Sequence, residues 1–382
     1  MRRRGVVLLF AVLAVLGLVA GPAVAADPPP NSEPYTAPID QPFQLGECYR
    51  DIKHGYAVKN VFGACWFTDM KFTHYVCPEP ECAVDGTAAA YVYTTVNVLK
   101  ESRRVAVSHR FVNWRVSGVP ESARLGVTVA CGPSAGGGGF CDRPSVPVVR
   151  SIAEWRVAPD VTEEFSLDGE DVPVAGVSAA VAAERRTQYR VTSRFVAEVP
   201  SGERYAVSDV VNGTGVRCDV ARQLDPAYVR GADCVLRTWL LPWFTFSAGE
   251  VPIAETGAFV RAVATAGRLP GFPGVNGGSA AFTGPQFRVF HDVAARQAHR
   301  AAAEARCLQV WGPDWVRHAG GLTNACAAYP FDESVQGAAP GSLFEVRPVL
   351  DADQAEFSRR FTRFLAENHV LDGDGYYVYP TP

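Results

Sequence analysis

The stretch QYRVTSRFVAEV, residues 188–199, decides how the first half of the chain folds. Tyr189, Val191, Phe195, Ala197 and Val199 fall on one side of an extended backbone, and Arg190, Thr192, Arg194 and Glu198 fall on the other. Successive side chains of a strand point to opposite faces, so this period of two predicts a strand with one buried face and one wet face. PSGE (200–203) reads as a turn, and ERYAVSDVV (203–211) can return as the hairpin partner. The same β-branched and aromatic texture recurs in YVYTTVNVL (91–99), VAVSHRFVNWRV (105–116) and RLGVTVAC (124–131). Many short strands between turn signals predict an all-β, sandwich-like region over residues 44–215, built as one or two domains.

After Cys218 the pattern changes. IAETGAFVRAVATAG (253–267) reads as a short helix, and the alanine-rich stretch from Asp292 to Arg306 has strong helix propensity. DQAEFSRRFTRFLAEN (353–368) places Phe357, Phe361, Phe364 and Leu365 on one stripe, the core face of an amphipathic helix. VLDGDGYYVYP (370–380) reads as a turn and a strand. The expectation is a small α+β C-terminal domain over residues 255–382.

Residues 1–26 have the layout of a secretory signal peptide: three arginines, an apolar run, then small residues before a cut after Ala25 or Ala26. A Pro-rich leader follows over 27–43. No later apolar run is long enough to span a bilayer, so the expected product is secreted and extracellular. All ten cysteines lie after the cut and their number is even, which predicts up to five disulfides. A zinc reading of His74, Cys77 and Cys82 is the alternative, and structural zinc sites belong more to reducing compartments. The loop SAGGGG (134–139) lies between Cys131 and Cys141, whose disulfide could close it, and it lacks the Lys-Ser/Thr of a phosphate loop. The formal net charge is −4 without a Lys/Arg block, so charge gives no independent support for nucleic-acid binding. A local groove can still be basic.

Several motifs in order carry a resemblance. VRCD (216–219), DCVL (233–236), the helix leading to Cys307, the run Cys326…Tyr329-Pro330-Phe331, VRPV (346–349) and LDGDGYYV (371–378) are similar to the C-terminal part of secreted, actinobacterial-type NucA/NucB deoxyribonuclease-domain proteins. The resemblance covers residues from about 216 onward. It implies a disulfide-tied linker over 216–254, with bridges Cys218–Cys234 and Cys307–Cys326. The second would close a loop carrying WGPDWVRHAGG (311–321). The other six cysteines allow fifteen connectivities, which sequence leaves open. The resemblance also implies metal-dependent DNA hydrolysis with Mg²⁺ or Mn²⁺, cations that prefer hard oxygen ligands.

The family's motif has an Asp-Glu pair between the cysteine and the tyrosine, and here those positions are Ala327 and Ala328. Alanine cannot bind metal, accept a proton or orient water. The family's later Asp-Asn falls on Asp353-Gln354 and its following Gly on Ser358, while the basic residue before the last motif is His369. A Gln amide oxygen is displaced by on the order of 1 Å from that of Asn, enough to cost about 10²-fold in rate. Substitute carboxylates are Asp332, Glu333, Asp372 and Asp374. The last two also suit turn chemistry. His291, His299, His318 and His369 are candidate bases. Three readings follow: a deoxyribonuclease scaffold whose hydrolysis is lost or severely weakened, an active nuclease using the substitutes, or a non-catalytic module that binds DNA, a cell-wall polymer or a protein.

Overall fold

The computed structural model describes residues 41–52, 55–77, 81–99, 102–134, 140–142, 146–168, 172–173, 185–198, 204–207, 212–219, 224, 234–236, 241–272 and 284–382. The expected signal peptide, most of the expected leader, the expected turn at 200–203 and residues 135–139 of the glycine-rich stretch lie outside them. The chain is mostly β, with several antiparallel sheets, one curled into a half-barrel, and helices mixed with strands toward the C-terminus.

Strands are numbered along the chain. The first sheet has the order β1 (Tyr56–Asn60), β2 (Gly63–Val76), β3 (Ala83–Val98), β4 (Arg104–Ser117), β8 (Asp160–Asp168), β6 (Phe140–Cys141), and β11 (Arg204–Val207) pairs with the far end of β2. The second has the order β13 (Cys234–Leu236), β12 (Asn212–Asp219), β10 (Arg185–Ala197), β5 (Arg124–Pro133), β7 (Val148–Ser151), with β9 (Val172–Pro173) beside β10. Helix α1 (Leu45–Asp51) precedes the first sheet, and α2 (Ile152–Val157) follows β7.

The two sheets share one core. Val96, Val105 and Val107 from the first pack with Val129, Tyr189, Val191 and Val216 from the second. Tyr189 and Val191 are buried while Arg190 and Arg194 are exposed, as the alternation in 188–199 predicts. The expected hairpin partner of this strand is corrected. Residues 204–207 pair with Phe72–Tyr75 of β2, and β12 takes the place beside β10. Tyr205 explains the choice, because its ring packs on Phe72 and His74, with centroids 4.7 and 4.8 Å away. Between the sheets His109 Nε2 lies 3.0 Å from Ser193 Oγ. Burial holds this imidazole neutral and pushes its pKa down to about 3.

The C-terminal part contains β14 (Trp243–Ser247), helix α3 (Ala254–Thr265), β15 (Gln286–Phe287), α4 (Val293–Trp311), β16 (Asn324–Tyr329), β17 (Glu345–Leu350), α5 (Asp351–Glu367) and β18 (Gly375–Thr381). β14 and β15 flank β18, while β16 and β17 form a separate antiparallel pair. The core is aromatic. Phe357, Phe361, Phe364 and Leu365 of α5 pack with Phe244, Phe246, Phe259, Phe331 and Tyr376. Burying each such side chain contributes roughly 1.5–3 kcal/mol.

The segment expected as a linker supplies β12, β13 and β14. In β12, Val216 and Cys218 enter the shared core of the two sheets. Arg217 and Asp219, on the opposite face, meet the C-terminal part. Arg217 binds Asp219 Oδ2 at 3.0 Å and Asp374 Oδ2 at 2.6 Å, and donates to the His369 carbonyl at 2.7 Å. These groups are almost wholly buried.

All ten cysteines are paired: Cys48–Cys65, Cys77–Cys82, Cys131–Cys141, Cys218–Cys234 and Cys307–Cys326. The zinc alternative is thereby overturned, because Cys77 and Cys82 are joined to each other, and His74 Nδ1 faces Asp85 Oδ2 at 3.0 Å.

Candidate functional site

Strand β16 carries the motif Cys326-Ala327-Ala328-Tyr329, followed by Pro330-Phe331 across a cis peptide. Strand alternation sends Ala327 and Tyr329 into the aromatic core, where both are fully buried. Ala328 is partly exposed and lies on the opposite face. A carboxylate at position 327 would therefore be enclosed by phenylalanine rings.

Asp353, Asp372 and Asp374 each hold backbone or an arginine. Asp353 caps α3 from the neighbouring helix, accepting the N–H groups of Glu255 and Thr256, both at 2.9 Å. Gln354 Oε1 accepts from the Thr256 hydroxyl at 3.3 Å, and its amide nitrogen is 3.5 Å from Ser358 Oγ. Asp372 accepts the N–H groups of Phe290 and His291. Asp374 accepts from Leu371 N–H at 2.8 Å as well as from Arg217. The His369 ring is buried, with Nδ1 3.5 Å from Asp219 Oδ1 and its plane nearly perpendicular to the Phe62 ring, centroids 6.0 Å apart. Helix capping accounts for Asp353, and turn and interface chemistry for Asp372, Asp374 and His369.

Asp332 and Glu333 sit elsewhere, in a polar cluster against α4. Arg300 pairs with Asp332, and Arg296 Nη1 is 3.8 Å from Glu333 Oε1. The Phe290 ring lies between Arg288 and Arg296, whose guanidinium carbons are 4.8 and 5.3 Å from its centroid. Burial pushes the Glu333 carboxyl up, against the pull of Arg288. His299 Nδ1 is 3.0 Å from the Asp332 carbonyl. A carbonyl only accepts, so Nδ1 donates and the neutral ring carries its lone pair on Nε2. A Cβ at Gly337 would stand 2.3 Å from His299 Nδ1, so only glycine leaves room for this ring.

The structure thus brings Asp332, Glu333 and His299 together, while Asp372 and Asp374 flank the same 288–291 segment, which bonds to the Glu333 carbonyl through Val289 N–H and to the Asp374 carbonyl through Arg288 N–H. Arg288, Arg296 and Arg300 are additions that the sequence reading missed. The spacing of Arg296, His299 and Arg300, which puts them on one helix face, was the available signal. With arginines already at Asp332 and Glu333, these carboxylates are a poor fit for Mg²⁺ or Mn²⁺. Among the described residues no three His, Cys, Asp or Glu side chains are grouped to hold a metal ion. Nor is any described helix long and apolar enough to cross a membrane. No protein-family model, curated protein or solved structure matches the chain.

Proposed function

We propose that this is an exported protein whose two facing sheets form a sandwich-like region, followed by a NucA/NucB-like unit that has lost, or nearly lost, phosphodiester hydrolysis. The ordered motifs from Val216 to Val378 support the relationship, and the five disulfides suit an oxidising compartment. One observation carries the loss of hydrolysis: Ala327 fills a position in the aromatic core, while Asp353, Asp372 and Asp374 accept hydrogen bonds that hold the fold. A second reading is non-catalytic binding of DNA or another polyanion; it rests on the resemblance alone, because Arg296 and Arg300 of α4 are paired with Glu333 and Asp332 and His299 is buried.

Plasmid DNA incubated with the oxidised chain from residue 27 onward, in Mg²⁺, Mn²⁺ or EDTA, separates these readings. The expected result is intact plasmid in every lane. Retarded plasmid that is released as salt rises would support the binding reading. Cutting that needs metal and stops in EDTA would overturn the proposal and return Asp332 and Glu333 as catalytic candidates.

A further inference from the structure

A second histidine is held more tightly than its place on a loop demands. His318 lies in the segment closed by the Cys307–Cys326 disulfide, and its Nδ1 is 2.7 Å from Asn324 Oδ1. The orientation of the Asn324 amide is fixed by its other end. Nδ2 donates to the carbonyls of Trp315 and Arg317 at 2.9 and 3.0 Å, which only an NH₂ group can do. Oδ1 therefore faces the imidazole and accepts from it, so Nδ1 carries the hydrogen. The neutral ring is left with its lone pair on Nε2.

That nitrogen faces a carboxylate, with which the ring forms an ion pair when Nε2 carries a proton. His318 Nε2 is 3.9 Å from Glu255 Oε1, and the other oxygen of Glu255 accepts the Leu350 N–H at 2.7 Å. Both side chains are thus anchored from behind, one by Asn324 and one by the backbone of β17. A lone pair and a carboxylate oxygen that face each other repel unless a proton or cation lies between them. The gap is too long for a direct hydrogen bond. Two ligands on one tetrahedral zinc, with bonds of about 2.0–2.2 Å, stand roughly 3.4 Å apart, so a side-chain movement of about 0.5 Å would bring this pair to ligand spacing. Side-chain exposures of 27% and 44% leave room for water to complete the coordination.

We propose that His318 and Glu255 form a two-ligand site for a divalent transition-metal ion of the zinc type, with Asn324 as the positioning residue. Imidazole with carboxylate suits zinc better than magnesium. A partner that fixes the tautomer of a ligating histidine is the usual second half of such a site. The bound ion would fasten the disulfide-closed loop to the start of α3. The site is independent of the reading of the nuclease-like motif.

The test is Zn²⁺ titrated into the oxidised, EDTA-treated chain from residue 27 onward, followed by calorimetry and by the imidazole NMR signals of its histidines. The His318 signal is expected to shift on adding Zn²⁺. His318→Gln and Glu255→Gln should each weaken binding at least about tenfold, and Asn324→Ala, which keeps both ligands, should weaken it about 10–100-fold. Unfolding midpoints measured without metal identify any variant that fails to fold, and the wild-type NMR shift stands apart from that question. No heat of binding, an unmoved His318 signal, or wild-type affinity in folded His318→Gln would overturn the site.

Discussion

The core between the two sheets and the contact with the C-terminal part bury polar groups in opposite ways. Between the sheets, His109 and Ser193 form a buried, neutral pair. At the contact, Arg217 stands between Asp219 and Asp374 as a buried ion network. A neutral pair costs little to bury and is lost when it must take a charge. An ion network costs more to bury and is lost when one member is removed. The first makes the β region sensitive to acid, and the second makes the attachment of the C-terminal part sensitive to mutation.

The sharpest way to break this contrast is Arg217→Met. It removes the cation that Asp219 and Asp374 share, leaving Asp374 the longer contact to Arg186 Nη1 at 3.7 Å, and a loss of about 3 kcal/mol is expected in denaturant unfolding. A loss below about 1 kcal/mol would mean that the network is not the joint between the two parts.

The pH dependence comes next. The folded pKa of His109 is depressed to about 3, below the ordinary value of 6.5. Above pH 6.5 the imidazole is neutral in folded and unfolded chains alike, so its contribution is fully present. As pH falls from 6.5 toward 3, the unfolded chain takes up a proton that the folded chain refuses, and stability declines. The loss from this group reaches about 2 kcal/mol by pH 5. His109→Asn should flatten the curve of unfolding free energy against pH, and an unchanged slope would assign the acid sensitivity to other groups.

The smallest expected effect compares two helix caps. Ser151 caps α2 locally, through its hydroxyl and a reciprocal contact from Glu154. Asp353 caps α3 from another helix and is buried. Ser151→Ala should cost about 1 kcal/mol. Asp353→Ala should exceed it by about 1 kcal/mol, because one buried and one half-buried N–H lose their shared acceptor. Equal midpoints for the two variants would show that the long-range cap contributes no more than the local one.

What could be read from the chain was local periodicity. The alternation of 188–199 placed Tyr189 and Val191 inside, and the stripe of α5 placed its phenylalanines in the core. Pairing over distance was less legible. The short link at 200–203 favours a hairpin, yet residues 204–207 leave for β2, because Tyr205 finds Phe72 and His74 there. Nothing near Arg217 announces Asp374, which lies 157 residues away. The same holds for the candidate site. The spacing within α4 was visible, but the carbonyl of Asp332 that orients His299 and the glycine that makes room for it belong to a loop packed on that helix by the fold.

Strand β12 has a consequence for how the chain can change over generations. Its alternate residues serve two neighbourhoods, Val216 and Cys218 an oily one, Arg217 and Asp219 a charged one. Losing or gaining one residue within the strand would exchange the two sets, turning a guanidinium toward the valines and an aliphatic side chain toward Asp374. It would also draw Cys218 away from Cys234. Substitutions at single positions can be absorbed one at a time, whereas a shift in length fails at every position together. Insertions and deletions should therefore accumulate in the connections on either side of β12 and spare its eight residues.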